Sequence, residues 1–217
     1  MRAIAGFLGA ALALLNGCAA YDSMTLHPDV LIDSSFTADE YEGIEKGFGV
    51  WETQGVTFTR KMVSHADIIG MGLASKEDNT IYIVRNATSH DRDCPGEFNE
   101  RKGFTAESNA AEEWTRTHGN GSAVICINAP LLNGIGGDVW KTSTAHELGH
   151  AFHLPHDRKS DFSLMNPTIG QSQVPYLTCN DRKHFAAAWG LASPTCEDST
   201  MKLPDSFKCD KEDPRCE

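Results

Sequence analysis

The stretch HELGHAFHLPH, residues 146–156, decides the fold because it combines a helix, its end and a set of potential metal ligands. His146 and His150 are four residues apart, so on a helix their imidazoles share one face and can both reach one metal ion. Glu147 is rotated by about 100° from His146, at the border of such a site. A carboxylate there suits a general base that takes a proton from a zinc-activated water.

A catalytic zinc needs a third protein ligand and an open fourth position. Seven residues of helix put His153 about 10 Å along the axis from His146, whereas ligand nitrogens around one zinc lie about 3.3 Å apart. Pro155 disfavours helix at Leu154, so the chain can turn back there and bring His156 to the metal. We predict His156 as the third ligand, with three later carboxylates as alternatives: Asp157, Asp161 and Asp181.

The spacing H-E-x-x-H-x-x-x-x-x-H resembles that of the metzincin zinc endopeptidases. Residues 163–167, SLMNP, resemble the Met-turn of that family, which implies that Met165 lies beneath the zinc as a hydrophobic floor. The family usually has glycine where His153 stands, at a backbone turn. The resemblance therefore implies a positive φ at His153, which histidine is among the residues to tolerate.

The resemblance covers about residues 28–190 and is nearest to the matrixins. It implies an α/β (α+β) fold with a twisted, mixed five-stranded sheet, an N-terminal helix and an active-site helix, followed by a small C-terminal subdomain with one helix and disulfides. It also implies one Zn²⁺ per chain, Glu147 as general base, and a peptide or protein as substrate. We expect a monomer, and calcium binding stays open.

The rest of the chain reads as one α/β domain. Strands are predicted at Pro28–Asp33, Val56–Val63 and Ser122–Ala129, with buried runs at Asp67–Leu73 and Ile81–Val84. Helices are predicted after the capping box of Thr37 and Glu40, from about Thr142 to His153, and from Cys179 to Trp189. Residues 85–121 read as a polar insertion with a short helix near Ala106–Trp114, and Asn133–Gly137 as a glycine-rich turn. The order is strand, helix, several strands, helix, helix.

The first residues indicate export. Residues 1–17 have a basic residue followed by a short apolar run, the pattern of a signal peptide. The LNGC of residues 15–18 resembles the lipobox of bacterial lipoproteins, which implies cleavage before Cys18 and its lipidation. We expect an anchor in the outer membrane, with a tether over residues 18–27 and the catalytic domain over 28–217. The alternative is ordinary cleavage near Ala20 and secretion.

Six cysteines remain after Cys18, an even number that favours three disulfides over a cysteine zinc site in an exported chain. Four of them follow residue 178, which predicts a disulfide-rich tail over residues 191–217. The candidates allow 15 pairings and are Cys94, Cys126, Cys179, Cys196, Cys209 and Cys216.

Composition argues against one class of function. The chain of 217 residues carries a formal charge of −11, and a chain this acidic is a poor candidate for binding nucleic acid, which calls for clustered Lys and Arg. No glutamate lies between Glu147 and Glu197, which argues against the H-E-x-x-H enzymes that use a distant glutamate as ligand. The sequence predicts a zinc endopeptidase. The alternatives are a zinc-containing lipoprotein that binds without cleaving and another metal-dependent hydrolase.

Overall fold

The structure is a computed structural model that describes residues 24–74, 78–86, 106–108, 122–135, 138–157, 162–167 and 174–196. Its strands are β1 (Asp29–Asp33), β2 (Thr59–Val63), β3 (Thr80–Asn86), β4 (Ala106–Ser108) and β5 (Ala123–Asn128). Its helices are α1 (Ala38–Glu52), α2 (His65–Ala74), α3 (Ala129–Ile135), α4 (Val139–Ala151) and α5 (Cys179–Ala188). None of the helices in these ranges is long and apolar enough to cross a bilayer.

The described strands form one mixed sheet in the order β2-β1-β3-β5-β4. Strands β2, β1, β3 and β5 are parallel to one another. Strand β4 runs antiparallel to β5 at the edge of the sheet, with Glu107 opposite Cys126. All six residues of β5 are buried, as expected for a parallel strand covered on both faces. The expected mixed α/β architecture is confirmed.

The two faces of the sheet have separate apolar layers. One layer lies between the sheet, α1 and α4, and contains Ile32, Phe48, Trp51 and Leu148. The other lies beneath α2, where Ile68 packs with the β3 and β5 side chains of the opposite face. Successive side chains of β3 and β5 therefore alternate between the two layers. This is the period-two pattern of a strand that is buried on both faces. The larger layer holds α4 against the sheet and so positions residues 146–156.

Three of the predicted elements are wrong in type. Residues 67–73 belong to α2, although the predicted order has strands in this part of the chain. Ala106–Ser108 is a strand and not the start of a short helix, and Asn133–Ile135 closes α3 instead of forming a turn. A short apolar run has no periodicity that separates a buried strand from a buried helix, and a three-residue edge strand has too few residues to show any.

Helix α1 begins as the sequence predicts. The Thr37 hydroxyl accepts from the Glu40 N–H, and the Glu40 carboxylate accepts from the Thr37 N–H, so the capping box is present. Glu40 also has a second role, because its carboxylate is 2% exposed and accepts two hydrogen bonds from Arg85 of β3. Asn133 of α3 donates to the same carboxylate, so Glu40 ties α1 to the sheet and to the segment before α4.

Glu40 makes the stability of the fold depend on pH. Burial raises the pKa of Glu40, but hydrogen bonds from Arg85, the Thr37 N–H and Asn133 outweigh burial and lower the pKa from 4.5 to about 2. A carboxyl with a depressed pKa contributes stability that is complete above its unfolded pKa and is lost as the pH falls toward its folded pKa. We expect Glu40→Gln to lower the free energy of unfolding by about 3 kcal/mol at pH 7, since it leaves Arg85 without its charge partner.

Urea unfolding of the metal-free protein between pH 7 and pH 3 measures this difference. The gap between wild type and Glu40→Gln should be constant down to about pH 4.5 and should narrow below it. Glu42→Gln is the matched control, because Glu42 forms an exposed i,i+4 pair with Lys46 and such pairs contribute little. A gap that is the same at pH 3 and pH 7 would show that Glu40 is not the titrating group.

Two glycines of α1 allow it to approach α4 closely. A Cβ on Gly43 would lie 2.3 Å from Cβ of Trp140, and a Cβ on Gly47 would lie 2.7 Å from Cβ of Thr144. Both neighbouring atoms are fixed to the α4 backbone, so they cannot move aside alone. Gly49, on the same helix, would meet nothing within 4 Å.

We expect Gly47→Ala and Gly49→Ala to change stability in opposite directions. The first overpacks the α1–α4 contact, which typically costs about 1–3 kcal/mol. The second stabilises by about 1 kcal/mol, because alanine is the better helix former and meets no neighbour. Thermal unfolding of the two variants measures the contrast, and equal shifts in the same direction would be inconsistent with close helix packing at Gly47.

Helix α5 begins at Cys179 as predicted and ends at Ala188, one residue before the predicted end. Thr178 and Asp181 form a capping box at its start, and Gly190 follows its last turn with φ of +63°. Cys179 and Cys196 form a disulfide, and Cys126 is disulfide-bonded as well. The disulfide class of cysteine is therefore confirmed for these three residues. The remaining candidates lie outside the described residues: Cys94, Cys209 and Cys216.

Candidate metal centre

Helix α4 carries the H-E-x-x-H segment and ends at Ala151, two residues before the predicted end at His153. Nearly all of its residues are buried, so it has no polar face whose periodicity would mark its start, and it begins at Val139 instead of Thr142. The N–H of Leu154 donates to the carbonyl of Gly149, and the N–H of His153 to that of His150, both at 2.9 Å. This pair of bonds is a Schellman motif, which requires a left-handed residue at its turn.

His153 is that left-handed residue, with φ of +66°. The positive φ that the resemblance implies is therefore present, although a β-carbon makes it unfavourable by about 1–2 kcal/mol. The His153 ring stacks on Trp189 at a centroid distance of 6.3 Å, on the side of α5. His153 is not among the histidines that converge on one point.

His146, His150 and His156 converge. Their Nε2 atoms are separated by 3.1 Å (His146–His150), 3.0 Å (His150–His156) and 3.3 Å (His146–His156). Within the described residues, this is the one group of three or more potential ligands close enough to hold a metal ion. The turn at His153 reverses the chain and thereby brings His156 beside the last two turns of α4.

Backbone carbonyls orient two of the three rings. Nδ1 of His146 donates to the carbonyl of Leu164 at 2.7 Å, and Nδ1 of His150 donates to that of Leu154 at 2.8 Å. With the proton on Nδ1, the lone pair of each imidazole is on Nε2. Metal-binding histidines are typically held in this way by a partner on the other ring nitrogen.

Both rings are neutral at physiological pH. Burial lowers the pKa of His146 well below its usual range, and the neighbouring His150 lowers it further. Burial and the nearby His156 lower the pKa of His150 to about 4. Neutral imidazoles present lone pairs instead of N–H groups, as coordination requires.

The three residues fit a metal ion. Tetrahedral zinc with Zn–N bonds near 2.1 Å places its ligand nitrogens about 3.3 Å apart, close to the observed separations. Lone pairs of His146 and His150 face each other at 3.1 Å, an arrangement that a cation between them would stabilise. Three histidine ligands are one of the sets of protein ligands found in catalytic zinc sites.

Glu147 and Met165, the predicted general base and Met-turn residue, are both buried. Glu147 follows His146 directly, and its side chain is buried. Met165 is buried in the turn after His156, and a Cβ on Gly149 would lie 2.4 Å from its Sδ. Glycine at position 149 therefore lets the methionine pack directly under the helix that carries His146 and His150.

Two of the carboxylates considered as alternative ligands have other partners. Asp181 accepts from Leu164 N–H and from the Ser163 hydroxyl, and Asp157 accepts from Asn180. Asp161 lies outside the described residues, as does Cys18. The sequence does not show that Asn180 contacts Asp157 or that Asp181 contacts Leu164. These contacts join segments that are 17 to 23 residues apart.

We expect His153→Gly to leave zinc content and turnover within about twofold of wild type. Glycine removes the cost of the left-handed backbone, while its freedom in the unfolded chain opposes this by about 0.4–1 kcal/mol. Because the contact with Trp189 is also lost, the free energy of unfolding should change by less than about 1 kcal/mol. His153→Ala keeps the strained backbone and loses the ring, so it should be the less stable variant. Loss of zinc from His153→Gly would instead identify a ligand.

Comparison with known proteins agrees with the site. No curated protein sequence matches the chain at a significant level. The sequence model of the Matrixin family matches residues 30–190, well over half of the chain. The matched range runs from β1 past the end of α5 and contains His146, His150 and His156. The chain belongs to the matrixin family.

Proposed function

We propose that the protein is a zinc-dependent endopeptidase. The observation that carries the proposal is the convergence of three imidazole Nε2 atoms at 3.0–3.3 Å in a chain of the matrixin family. His146, His150 and His156 would hold one zinc ion per chain. Three protein ligands leave a fourth position open, which distinguishes a catalytic zinc site from a structural one.

The proposed reaction combines the chemistry of a bound zinc ion with roles for Glu147 and Met165. A bound zinc acts as a Lewis acid, lowering the pKa of water toward about 7 and polarising the scissile carbonyl. In this proposal Glu147, a buried residue next to His146 in the chain, takes the proton of the attacking water and delivers it to the leaving amine. Met165 supports the imidazole pair from below through its contact with α4.

We further propose that the protein is exported and lipid-anchored at Cys18, with its catalytic domain from residue 28 onward. The disulfide between Cys179 and Cys196 supports export, because disulfides persist in oxidising compartments. Mass spectrometry of the mature N-terminus tests this directly. We expect a diacylated or triacylated Cys18, whereas an unmodified terminus near Ala20 would indicate secretion.

Cleavage of an unstructured protein substrate tests the proposed activity. The purified protein should convert it to fragments with new internal termini, identified by mass spectrometry, and the fragments should be absent with Glu147→Ala. A wild-type protein that binds zinc but leaves the substrate intact would favour the non-catalytic binding role.

A further inference from the structure

The first turn of α5 contacts both segments that bear on the metal-facing histidines. Asp181 is fully buried, and its carboxylate accepts from the Leu164 N–H at 3.0 Å and from the Ser163 hydroxyl. The carbonyl of Leu164 in turn accepts from Nδ1 of His146. Asp181 therefore holds the residue that orients the His146 ring.

The neighbouring residue, Asn180, holds the segment of His156. Its Nδ2 donates to the carboxylate of Asp157, the residue after His156. The N–H of Asp157 donates to the carbonyl of Met165 at 2.9 Å. Asp157 is thus fixed through its side chain to α5 and through its backbone to the turn that contains Leu164 and Met165.

The turn that makes these contacts is itself anchored on several sides. The Thr178 N–H and hydroxyl donate to Asp181 at 2.9 and 2.8 Å, and Cys179 is joined to Cys196 by the disulfide. At the other end of α5, Phe185 packs on Phe152 and Trp51. A fixed turn can set the position of the segments it touches instead of following them.

We propose that Asn180 and Asp181 are positioning residues for the metal site, acting through Asp157 and Leu164. The proposal rests on the proposed function, in which this site holds zinc. Removing the hydrogen-bond partner of a metal ligand typically lowers metal affinity by 10–100-fold. Asn180 and Asp181 lie one step further out, so we expect about a tenfold loss for each.

Zinc affinity and the Co²⁺ spectrum of the full chain test this proposal. Asn180→Ala and Asp181→Asn should each bind zinc about tenfold more weakly in competition with a chromophoric chelator. The visible absorption of the Co²⁺-loaded variants should change in position or intensity, because it reports ligand geometry. Lys183→Ala, an exposed position on the same helix, is the matched control and should reproduce wild type in both measurements.

A charge-swapped pair separates positioning from general destabilisation. In the double variant Asp157→Asn with Asn180→Asp, the amide and carboxylate exchange places and the hydrogen bond can form again. We expect it to recover most of the zinc affinity that Asn180→Ala loses. Circular dichroism shows separately whether each variant folds. If Asp181→Asn does not fold, the zinc affinity and Co²⁺ spectrum of the Asn180 variants decide the test.

Two results would overturn the proposal: zinc affinity and Co²⁺ spectrum of folded Asn180→Ala equal to wild type, or no recovery in the swapped pair. Failure of the proposed function has a different signature, because wild type itself would then bind no zinc or would cleave no peptide.

Discussion

Glu147→Ala is expected to lower kcat/KM for peptide hydrolysis by roughly 10²–10⁴-fold, the usual effect of losing a general base, while zinc content stays at one ion per chain. The physical reason is that the substitution removes the proton acceptor beside His146 without touching the three imidazoles. Both quantities are measured on one preparation, by metal analysis and by initial rates on a peptide substrate.

Glu147→Gln is the matched control for packing, since it preserves the volume of a side chain that is buried. Both variants should unfold near the wild-type temperature when loaded with zinc and should be similarly inactive. Turnover close to wild type in a zinc-loaded variant would remove Glu147 from the reaction.

His156→Ala is expected to lose zinc and activity together. Two histidines remain on α4. We expect the variant to bind zinc at least about 100-fold more weakly than wild type, which exceeds the usual effect of losing a supporting residue. Zinc content after dialysis against a weak chelator measures the loss. His184→Ala, which removes an exposed histidine on α5, should retain zinc and activity. Full zinc occupancy in His156→Ala would mean that another group supplies the third ligand.

The helix that carries the site was largely predictable from local signals. The i,i+4 spacing of His146 and His150 specifies a shared helix face, and Pro155 predicts an end of the helix nearby, which the structure has at Ala151. The left-handed turn at His153 follows from its place in the family pattern, and the structure has it at φ of +66°. The first two features depend on neighbours within a few residues, which the sequence shows directly, whereas the turn at His153 is implied by the family resemblance.

The elements that were missed depend on distant partners or lack a pattern. Helix α2 occupies residues 65–74, and its predominantly apolar sequence shows no polar face. Strand β4 has three residues and owes its conformation to its pairing with β5. The contacts of Asp181 with Ser163 and Leu164 cross a stretch of chain that no spacing rule links to α5. Tertiary contacts, more than propensity, decide each of these.

Titration of the metal-free protein with zinc, with bound metal and peptide hydrolysis measured in the same samples, tests the central claim most directly. We predict that activity rises in proportion to bound zinc and reaches its maximum at one ion per chain. Full activity of the metal-free protein, or no activity with one zinc ion bound per chain, would contradict a zinc peptidase.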